Sequence, residues 1–207
     1  MIGEEEARAL AIGFGQDGEA AARMDRFVEL LLAANREQNL ISRASEAELW
    51  GRHILDSAQL LRFADGDRLS WLDLGSGPGL PGLVMAALRP QWQVTLVEPR
   101  KQRCVFLRHS AETLGLNHVR VEESRAENAA LQKVDVISAR ALSDIATILR
   151  LGGRFAHSDT LWLLHRGRNW VKELEELGPR RARMFHVEHS LTSDEARILV
   201  GRPSSGG

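Results

Sequence analysis

The sequence has few of the features that mark exported or membrane-bound proteins. Its one cysteine, Cys104, has no second cysteine with which to form an internal disulfide, which fits a reducing compartment. No apolar run approaches the roughly 18 residues that a membrane span requires, and residues 1–6 are acidic, whereas an export signal begins with basic residues. We therefore expect a cytoplasmic protein without a membrane-spanning segment.

An excess of either charge is also lacking, since the net charge of the chain is −1. The charge is nevertheless polarised: residues 1–68 hold 8 basic and 13 acidic side chains, net −5, and residues 139–207 hold 11 and 8, net +3. This asymmetry is compatible with a face that approaches phosphates and equally with a solvated surface of mixed charge. The length of 207 residues has room for one main domain and an appendage.

Helical periodicity dominates the first third of the sequence. Apolar side chains at three- and four-residue spacing predict an amphipathic helix over residues 18–38. A second helix is predicted over residues 46–63, with Ser45 as its N-cap. The inner face of that helix would carry Leu49, His53 and Leu60.

A turn at residues 65–68 is the best domain boundary in the sequence. It separates a helical N-terminal extension, residues 1–68, from a main domain, residues 69–202, and residues 203–207 read as a disordered tail. In the main domain short apolar runs alternate with helical stretches, as in parallel sheets buried between helices. The expected fold is therefore α/β and Rossmann-like, with a mostly parallel seven-stranded sheet.

The apolar runs and helical stretches give the expected order of elements. Strands are predicted at residues 69–74, 94–97, 119–121, 134–137 and 161–164, and a terminal antiparallel pair at 184–187 and 196–200. Helices are predicted between them at residues 80–88, 101–114, 126–131, 144–151 and 170–177.

The most informative segment follows the first predicted strand, where residues 73–82 read Asp-Leu-Gly-Ser-Gly-Pro-Gly-Leu-Pro-Gly. Three of its glycines fit the G-x-G-x-x-G pattern of dinucleotide-binding proteins, and Glu98 lies 21 residues beyond Gly77. The same segment also fits Asp-x-Gly-x-Gly-x-Gly, which resembles the first motif of class I methyltransferases. A strand-turn-helix junction that binds no ligand is the third interpretation.

The two prolines of this loop favour the methyltransferase interpretation. A pyrophosphate needs several backbone N–H donors at the start of a helix, and Pro78 and Pro81 each remove one donor. S-adenosylmethionine has no phosphate and needs mainly the close backbone approach that Gly75, Gly77 and Gly79 permit. We expect Asp73 to orient the methionyl part of this cofactor, and Glu98 to accept both ribose hydroxyls.

Missing motifs narrow the choice of methyl acceptor. The chain has no tyrosine, and the [Asn/Asp]-Pro-Pro-[Tyr/Phe] loop typical of exocyclic amine methylation is absent after the fourth predicted strand. Methylation at C5 of a pyrimidine needs a cysteine nucleophile, but Cys104 lies within a predicted helix as a small core residue. Guanine N7 carries a lone pair and no proton, so its methylation requires no general base. A small-molecule nitrogen or oxygen acceptor fits as well.

Five segments together resemble the RsmG family, also called GidB. In chain order these are Asn39-Leu40, Arg52-His53-x-x-Asp56-Ser57, the glycine-rich residues 73–82, Ser124-Arg-Ala126-Glu127 and Ser138-Ala-Arg140-Ala141. The resemblance implies methylation of N7 of a single guanine, guanine 527, in 16S ribosomal RNA with S-adenosylmethionine. It also implies that the cofactor is contacted by Gly75, Leu80, Ala126, Glu127 and Arg140.

Arg140 lies where the resemblance places the acceptor, and it is the candidate catalytic residue, acting by positioning. It would hold the cofactor carboxylate or the RNA, or it is a buried arginine paired with a carboxylate of the helical extension. His53 and Asp56 lie one helical turn apart and would face the same pocket or form an interdomain pair.

The family commonly has Lys-Gly after the fifth strand, where this chain has Arg166-Gly167. Arginine keeps the positive charge but is a planar fork, so a role that needs the geometry of lysine is in doubt. The candidates for RNA contact, each of which would otherwise be a solvated charge, are His53, Arg100, Lys101, Arg103, Arg166 and Arg168, with Arg180, Arg181 and Arg183 as further candidates.

The expected partner is 16S RNA in the 30S subunit or in an assembly intermediate, the expected protein is a monomer, and no metal site is expected. Two alternatives remain. One is a small-molecule methyltransferase, and the other is a ribosome-assembly factor that transfers no methyl group.

Overall fold

A computed structural model describes residues 2–202, so the predicted tail at residues 203–207 lies outside the described part of the chain. The strands are β1 Ser70–Leu74, β2 Gln93–Val97, β3 Val119–Glu122, β4 Val134–Arg140, β5 Ala156–Arg166, β6 Phe185–His189 and β7 Arg197–Gly201. The α-helices are α1 Glu4–Gly13, α2 Ala20–Gln38, α3 Asp56–Ala58, α4 Gly82–Leu88, α5 Lys101–Thr113, α6 Ile145–Gly152, α7 Trp170–Glu176 and α8 Pro179–Ala182.

Within residues 2–202 the strands form one seven-stranded sheet in the order β3-β2-β1-β4-β5-β7-β6. Strands β1 to β5 run parallel, whereas β7 runs antiparallel to both β5 and β6. The predicted mostly parallel sheet with a terminal antiparallel pair is therefore confirmed. From β1 the chain adds β2 and β3 on one side, and it then crosses back to add β4 and β5 on the other side. In open α/β sheets ligands bind beside the carboxyl ends of the strands at such a switch point.

The two faces of the sheet carry separate apolar cores because side chains alternate along each strand. Trp71 of β1 and Val136 of β4 belong to the core beneath α2, α4 and the N-terminal extension. Leu72 and Ile137, the next residues along these strands, belong to the core beneath α6 and α7. The extension thus packs over one face of the sheet, and the carboxyl ends of the strands lie next to it.

The prediction of one continuous α-helix over residues 46–63 is wrong. Residues Arg43–Glu48 form a 3-10 turn, Trp50–Leu55 form a π-helical turn, α3 adds one α-helical turn and Gln59–Arg62 form a second 3-10 turn. Glu4 of α1 caps the π-helical turn, since its carboxylate accepts the backbone N–H groups of Trp50 at 2.8 Å and Gly51 at 2.9 Å. Single π-helical turns occur frequently at functional sites.

Ser45 is not the N-cap that the sequence predicts. It lies inside the first 3-10 turn and its hydroxyl donates a hydrogen bond to the backbone oxygen of Ser42 at 2.8 Å. The hydroxyl is thereby held in place to face His53.

The helix predicted over residues 126–131 is also wrong. Only a single turn forms there, closed by hydrogen bonds from the backbone N–H groups of Asn128 and Ala129 to the oxygen of Arg125. Ala129 instead packs into the apolar core and takes the chain directly into β4.

Candidate active site

The glycine-rich loop leaves the carboxyl end of β1 in a conformation that few side chains tolerate. Gly75, Gly77 and Gly79 have φ values of +69°, +54° and +91°. A Cβ atom on Gly75 would lie 2.5 Å from the side chain of Leu142, in the loop after β4. Glycine is therefore required at Gly75 both by backbone conformation and by the close approach of the β4 loop.

Asp73, in β1, holds this loop in place through hydrogen bonds. Its Oδ1 accepts a hydrogen bond from the Ser138 hydroxyl at 2.7 Å and its Oδ2 accepts one from the backbone N–H of Gly82 at 3.1 Å. Burial raises the pKa of Asp73 to about 6. The carboxyl group thus joins β1, β4 and the start of α4. Contact between Asp73 and the methionyl part of a cofactor remains a prediction.

Glu98 occupies the corresponding position at the end of β2 and is buried. Its Oε2 accepts the N–H of Gly77 at 3.0 Å and its Oε1 accepts the N–H of Arg100 at 2.9 Å. A carboxylate oxygen has two lone-pair sites, so each oxygen keeps one further acceptor position. The expected contact of Glu98 with ribose hydroxyls remains a prediction that this placement at the strand end supports.

The residues around the loop fit S-adenosylmethionine. A Cβ atom on Gly77 would make ordinary van der Waals contacts only, the nearest at 3.5 Å to Nη1 of Arg103. The backbone N–H of Gly77 already donates a hydrogen bond to Glu98 and is not free to bind a phosphate. The loop is therefore a poor binding site for pyrophosphate. Ala126 is buried on the turn after β3, and Glu127 is exposed beside it. Leu80 is buried at the start of α4.

Arg140 ends β4 and binds the irregular helical segment of the extension. Its Nη2 donates to the backbone oxygen of Arg52 at 2.9 Å and to Nδ1 of His53 at 3.0 Å. Its Nε lies 3.5 Å from Oδ2 of Asp56. Arg140 is therefore the arginine paired with a carboxylate of the extension, as one of the sequence interpretations describes. His53 and Asp56 both face it, and a contact of Arg140 with cofactor or RNA remains a prediction.

Asp56 is the centre of this contact between the extension and the sheet. Its Oδ1 accepts hydrogen bonds from Gln59 and from Thr192 in the β6–β7 turn, both at 2.9 Å, and its backbone oxygen lies 2.6 Å from Nε2 of His165 on β5. Burial tends to raise the pKa of Asp56, but His165, Arg140 and the Thr192 hydroxyl together lower it. Asp56 is accordingly an ionised carboxylate that joins the extension to β4, β5 and the β6–β7 turn.

His53 is neutral in this arrangement. Arginine can only donate, so Nδ1 of His53 accepts the bond from Arg140 and Nε2 carries the hydrogen, which is directed to the Ser45 hydroxyl at 2.8 Å. Burial and the charge of Arg140 lower the pKa of His53 to about 4. Within the pocket His53 therefore orients Arg140.

The predicted RNA-contacting residues fall into two groups. Arg100 and Lys101 are exposed at the start of α5, and Arg103 is partly exposed next to Gly77. Arg168 is exposed too and pairs with Glu195. Arg166 differs, because its side chain is 10% exposed and its guanidinium binds the oxygen of Ser143 at 2.7 Å and the carboxylate of Glu173. It packs the β4 loop onto α7, which leaves little of the side chain for RNA.

Clefts open at this end of the sheet. A cleft of about 1260 Å³ lies between the extension and the β6–β7 turn, and is lined by His53, Asp56 and Arg140 among others. A second cleft of about 450 Å³ lies at the ends of β4 and β5 and includes Leu142 and His165 in its walls. Leu142 also packs against Gly75, so the second cleft adjoins the glycine-rich loop.

Three residues of the site escape sequence reasoning. Ser138 binds Asp73, His165 binds Asp56, and Thr192 reaches Asp56 from the β6–β7 turn. Ser138 lies within the segment that carries the family resemblance, which is a signal that could have identified it. Thr192 gave no signal, because its partner lies 136 positions away in the chain.

Sheet order, glycine-rich loop and the acidic residue after β2 define a class I S-adenosylmethionine-dependent methyltransferase with a Rossmann-like fold. Solved structures share the fold: a precorrin-6y C5,15-methyltransferase from Geobacter metallireducens matches with a TM-score of 0.56 and 16% identity, over 81% of this chain and 92% of that one. A ribosomal protein L11 methylase from Lactobacillus delbrueckii matches with a TM-score of 0.57 and 14% identity, over 72% and 77%.

The particular family follows from sequence comparison. The model of the family described as GidB, rRNA small subunit methyltransferase G, matches residues 20–196. The ribosomal RNA small subunit methyltransferase G of Sphingopyxis alaskensis is 47% identical over 96% of this chain and 85% of the relative. The chain belongs to this family, which confirms the resemblance found in the sequence.

Proposed function

We propose that this protein transfers the methyl group of S-adenosylmethionine to N7 of one guanine, guanine 527, in 16S ribosomal RNA. The observation that carries the proposal is that the glycine-rich loop and the cleft at the ends of β4 and β5 adjoin each other. Leu142, in the loop after β4, packs against Gly75 of the glycine-rich loop and also lines the cleft at the ends of β4 and β5. A base in this cleft lies beside the loop that suits the cofactor.

For this reaction the protein needs mainly to align the methyl group of the cofactor with guanine N7. S-adenosylmethionine supplies an electrophilic methyl group on a positively charged sulfur when it is bound. Guanine N7 offers a lone pair and releases no proton, so no general base is needed, and the neutral His53 is bonded to Arg140 and Ser45 in a purely orienting role. The glycine-rich loop, Glu98 and Arg140 would hold the two reactants in line, which is a large source of rate acceleration for such a transfer.

The same proposal covers where the reaction occurs. The substrate would be 16S RNA in the 30S subunit or an assembly intermediate, and the protein would act as a monomer in the cytoplasm. The exposed basic residues at the start of α5 would contact the RNA backbone beside the cofactor site. Among residues 2–202 there is no helix whose length and hydrophobicity would let it cross a bilayer.

A substrate panel separates this function from its alternatives. Labelled methyl transfer would be measured with 30S subunits from a strain that lacks the protein, with deproteinised 16S RNA and with free guanosine. Label in an RNA substrate alone supports the proposal. Label in free guanosine at a comparable rate favours a small-molecule enzyme, and binding to 30S without any label favours an assembly factor.

A further inference from the structure

His165 has a buried hydrogen-bonding atom without a partner among residues 2–202. The side chain is 8% exposed, and its Nε2 lies 2.6 Å from the backbone oxygen of Asp56. A carbonyl oxygen only accepts, so Nε2 carries the hydrogen and Nδ1 has a free lone pair. No group in the described part of the chain donates to this Nδ1. Buried polar atoms nearly always have a hydrogen-bond partner, so an unpaired Nδ1 needs an explanation.

The imidazole of His165 is neutral, with its hydrogen on Nε2. Burial lowers the pKa of His165, and the charge of Arg140 acts in the same direction, whereas Asp56 opposes it. Arg140 and His165 are direct neighbours on β4 and β5, and both are bonded to residues of the N-terminal extension. The neutral ring is therefore a fixed hydrogen-bond acceptor at the carboxyl end of β5.

The position of His165 suggests what the missing donor is. It lines the cleft of about 450 Å³ together with Arg140 and Leu142. This volume lies within the range of about 300–1,000 Å³ found for small-molecule sites, large enough for a flipped base. In the sheet β4 separates β5 from β1, so the glycine-rich loop lies on the far side of the cleft from His165.

On the basis of the proposed function, we propose that His165 selects guanine, its Nδ1 accepting a hydrogen bond from the N2 amino group of the target base. Guanine carries N7 at one edge and the N2 amino group at the opposite edge, and adenine lacks this donor. A guanine held at N2 by β5 therefore directs N7 towards β4 and the glycine-rich loop. An adenine in the same orientation would present only C2–H to Nδ1 and leave its lone pair without a donor.

The exocyclic amino group suits this role better than the ring N1–H does. Nδ1 is recessed below the surface, and the amino group projects furthest from the ring. The hydrogen bond would position the base, and His165 would take no proton in the reaction, in keeping with an acceptor that has none to lose. This makes His165 a specificity residue.

The test replaces the target guanine by inosine, which lacks only the N2 amino group, in 30S subunits reconstituted from 16S RNA joined from two pieces. The wild-type protein should methylate the guanine-containing subunit with a kcat/KM about tenfold or more above that for inosine. His165→Gln keeps a donor near Nε2 and loses the acceptor, so it should methylate both subunits equally, at the wild-type inosine rate.

Two further variants make the comparison specific. His165→Asn places an amide oxygen near the position of Nδ1, so it should retain a preference for guanine even if the bond to Asp56 is lost. His186→Gln makes the same exchange at a histidine of β6 whose side chain is 64% exposed, and it should behave as wild type. Cofactor affinity and the melting temperature of each variant would show whether the fold is intact.

The outcomes are distinct. If the wild-type protein methylates no guanine in 30S subunits, the proposed function fails. If it methylates guanine and inosine alike, or if His165→Gln keeps the full preference for guanine, the selection by His165 is overturned while the proposed function stands. If both His165 variants fail to fold, equal wild-type rates with guanine and inosine still overturn the selection by His165.

Discussion

Arg140 and His165 stand side by side at the carboxyl ends of β4 and β5, and both are bound to Asp56 of the N-terminal extension. The guanidinium approaches the Asp56 carboxylate, and the imidazole binds its backbone oxygen. One residue of the extension thus fixes two side chains that line the candidate acceptor cleft. The extension therefore helps to build the candidate site and also covers one face of the sheet.

Arg140→Ala should lower both activity and stability. Asp56 would lose its nearest cation, and an uncompensated charge in a buried position costs roughly 2–3 kcal/mol of unfolding free energy. Urea denaturation would measure this loss. Asp56→Asn removes the charge that is left unpaired, so the double variant should lose clearly less stability than the sum of the two single variants. Strictly additive losses would show that the pair contributes no coupling.

Gly75→Ala should weaken cofactor binding. The new methyl group would lie 2.5 Å from Leu142, and the backbone would be held at a φ of +69°. Gly115 is a matched control, with a φ of +67° and no heavy atom within 4 Å of a Cβ. Both variants should lose about 1 kcal/mol through the strained backbone, but only Gly75→Ala should lose affinity for S-adenosylmethionine in calorimetry. An equal loss of affinity in both variants would refute the placement of the cofactor.

The strands and their succession along the chain could be predicted because each βαβ unit is encoded locally, in runs of apolar residues and in the turns that separate them. The positions of Asp73, Gly75 and Glu98 followed from the same local pattern. The irregular path of residues 43–62 could not be predicted from local periodicity, and its contact with Glu4 comes from a helix far away in the chain. The partners of Asp56 escaped for the same reason.

His53 should make stability pH-dependent. Its pKa is about 4 in the folded protein against 6.5 for the free side chain, so below pH 6.5 the unfolded chain binds more protons and stability falls as the pH drops towards 4. After allowance for partial exposure, the expected loss is about 1–2 kcal/mol. Asp73 opposes this trend because its pKa is raised.

Only the difference between wild type and His53→Asn therefore isolates the contribution of His53. The stability gap between the two proteins should change between pH 7 and pH 4.5, with the wild type losing more. A gap that stays constant over this range would mean that His53 titrates normally.

Arg166 and the pair Arg100 and Lys101 should respond differently to substitution. Arg166→Lys keeps the charge but cannot bind Ser143 and Glu173 at once, so we expect a loss of about 1–2 kcal/mol of stability with little change in the salt dependence of RNA binding. The exposed pair changed to alanine should leave stability intact and reduce the slope of log K against log salt by up to about 1.5. The reverse pattern would exchange the roles assigned to these residues.

The most direct measurement is to map the base that this protein modifies. Wild-type protein and Gly75→Ala would each be incubated with S-adenosylmethionine and 30S subunits from a strain without the protein, and the 16S RNA would be digested and analysed by mass spectrometry. The account predicts one 7-methylguanine, at guanine 527, with wild type and almost none with Gly75→Ala. A methyl group on another atom or base, or no transfer by a wild-type protein that binds the cofactor, would contradict it.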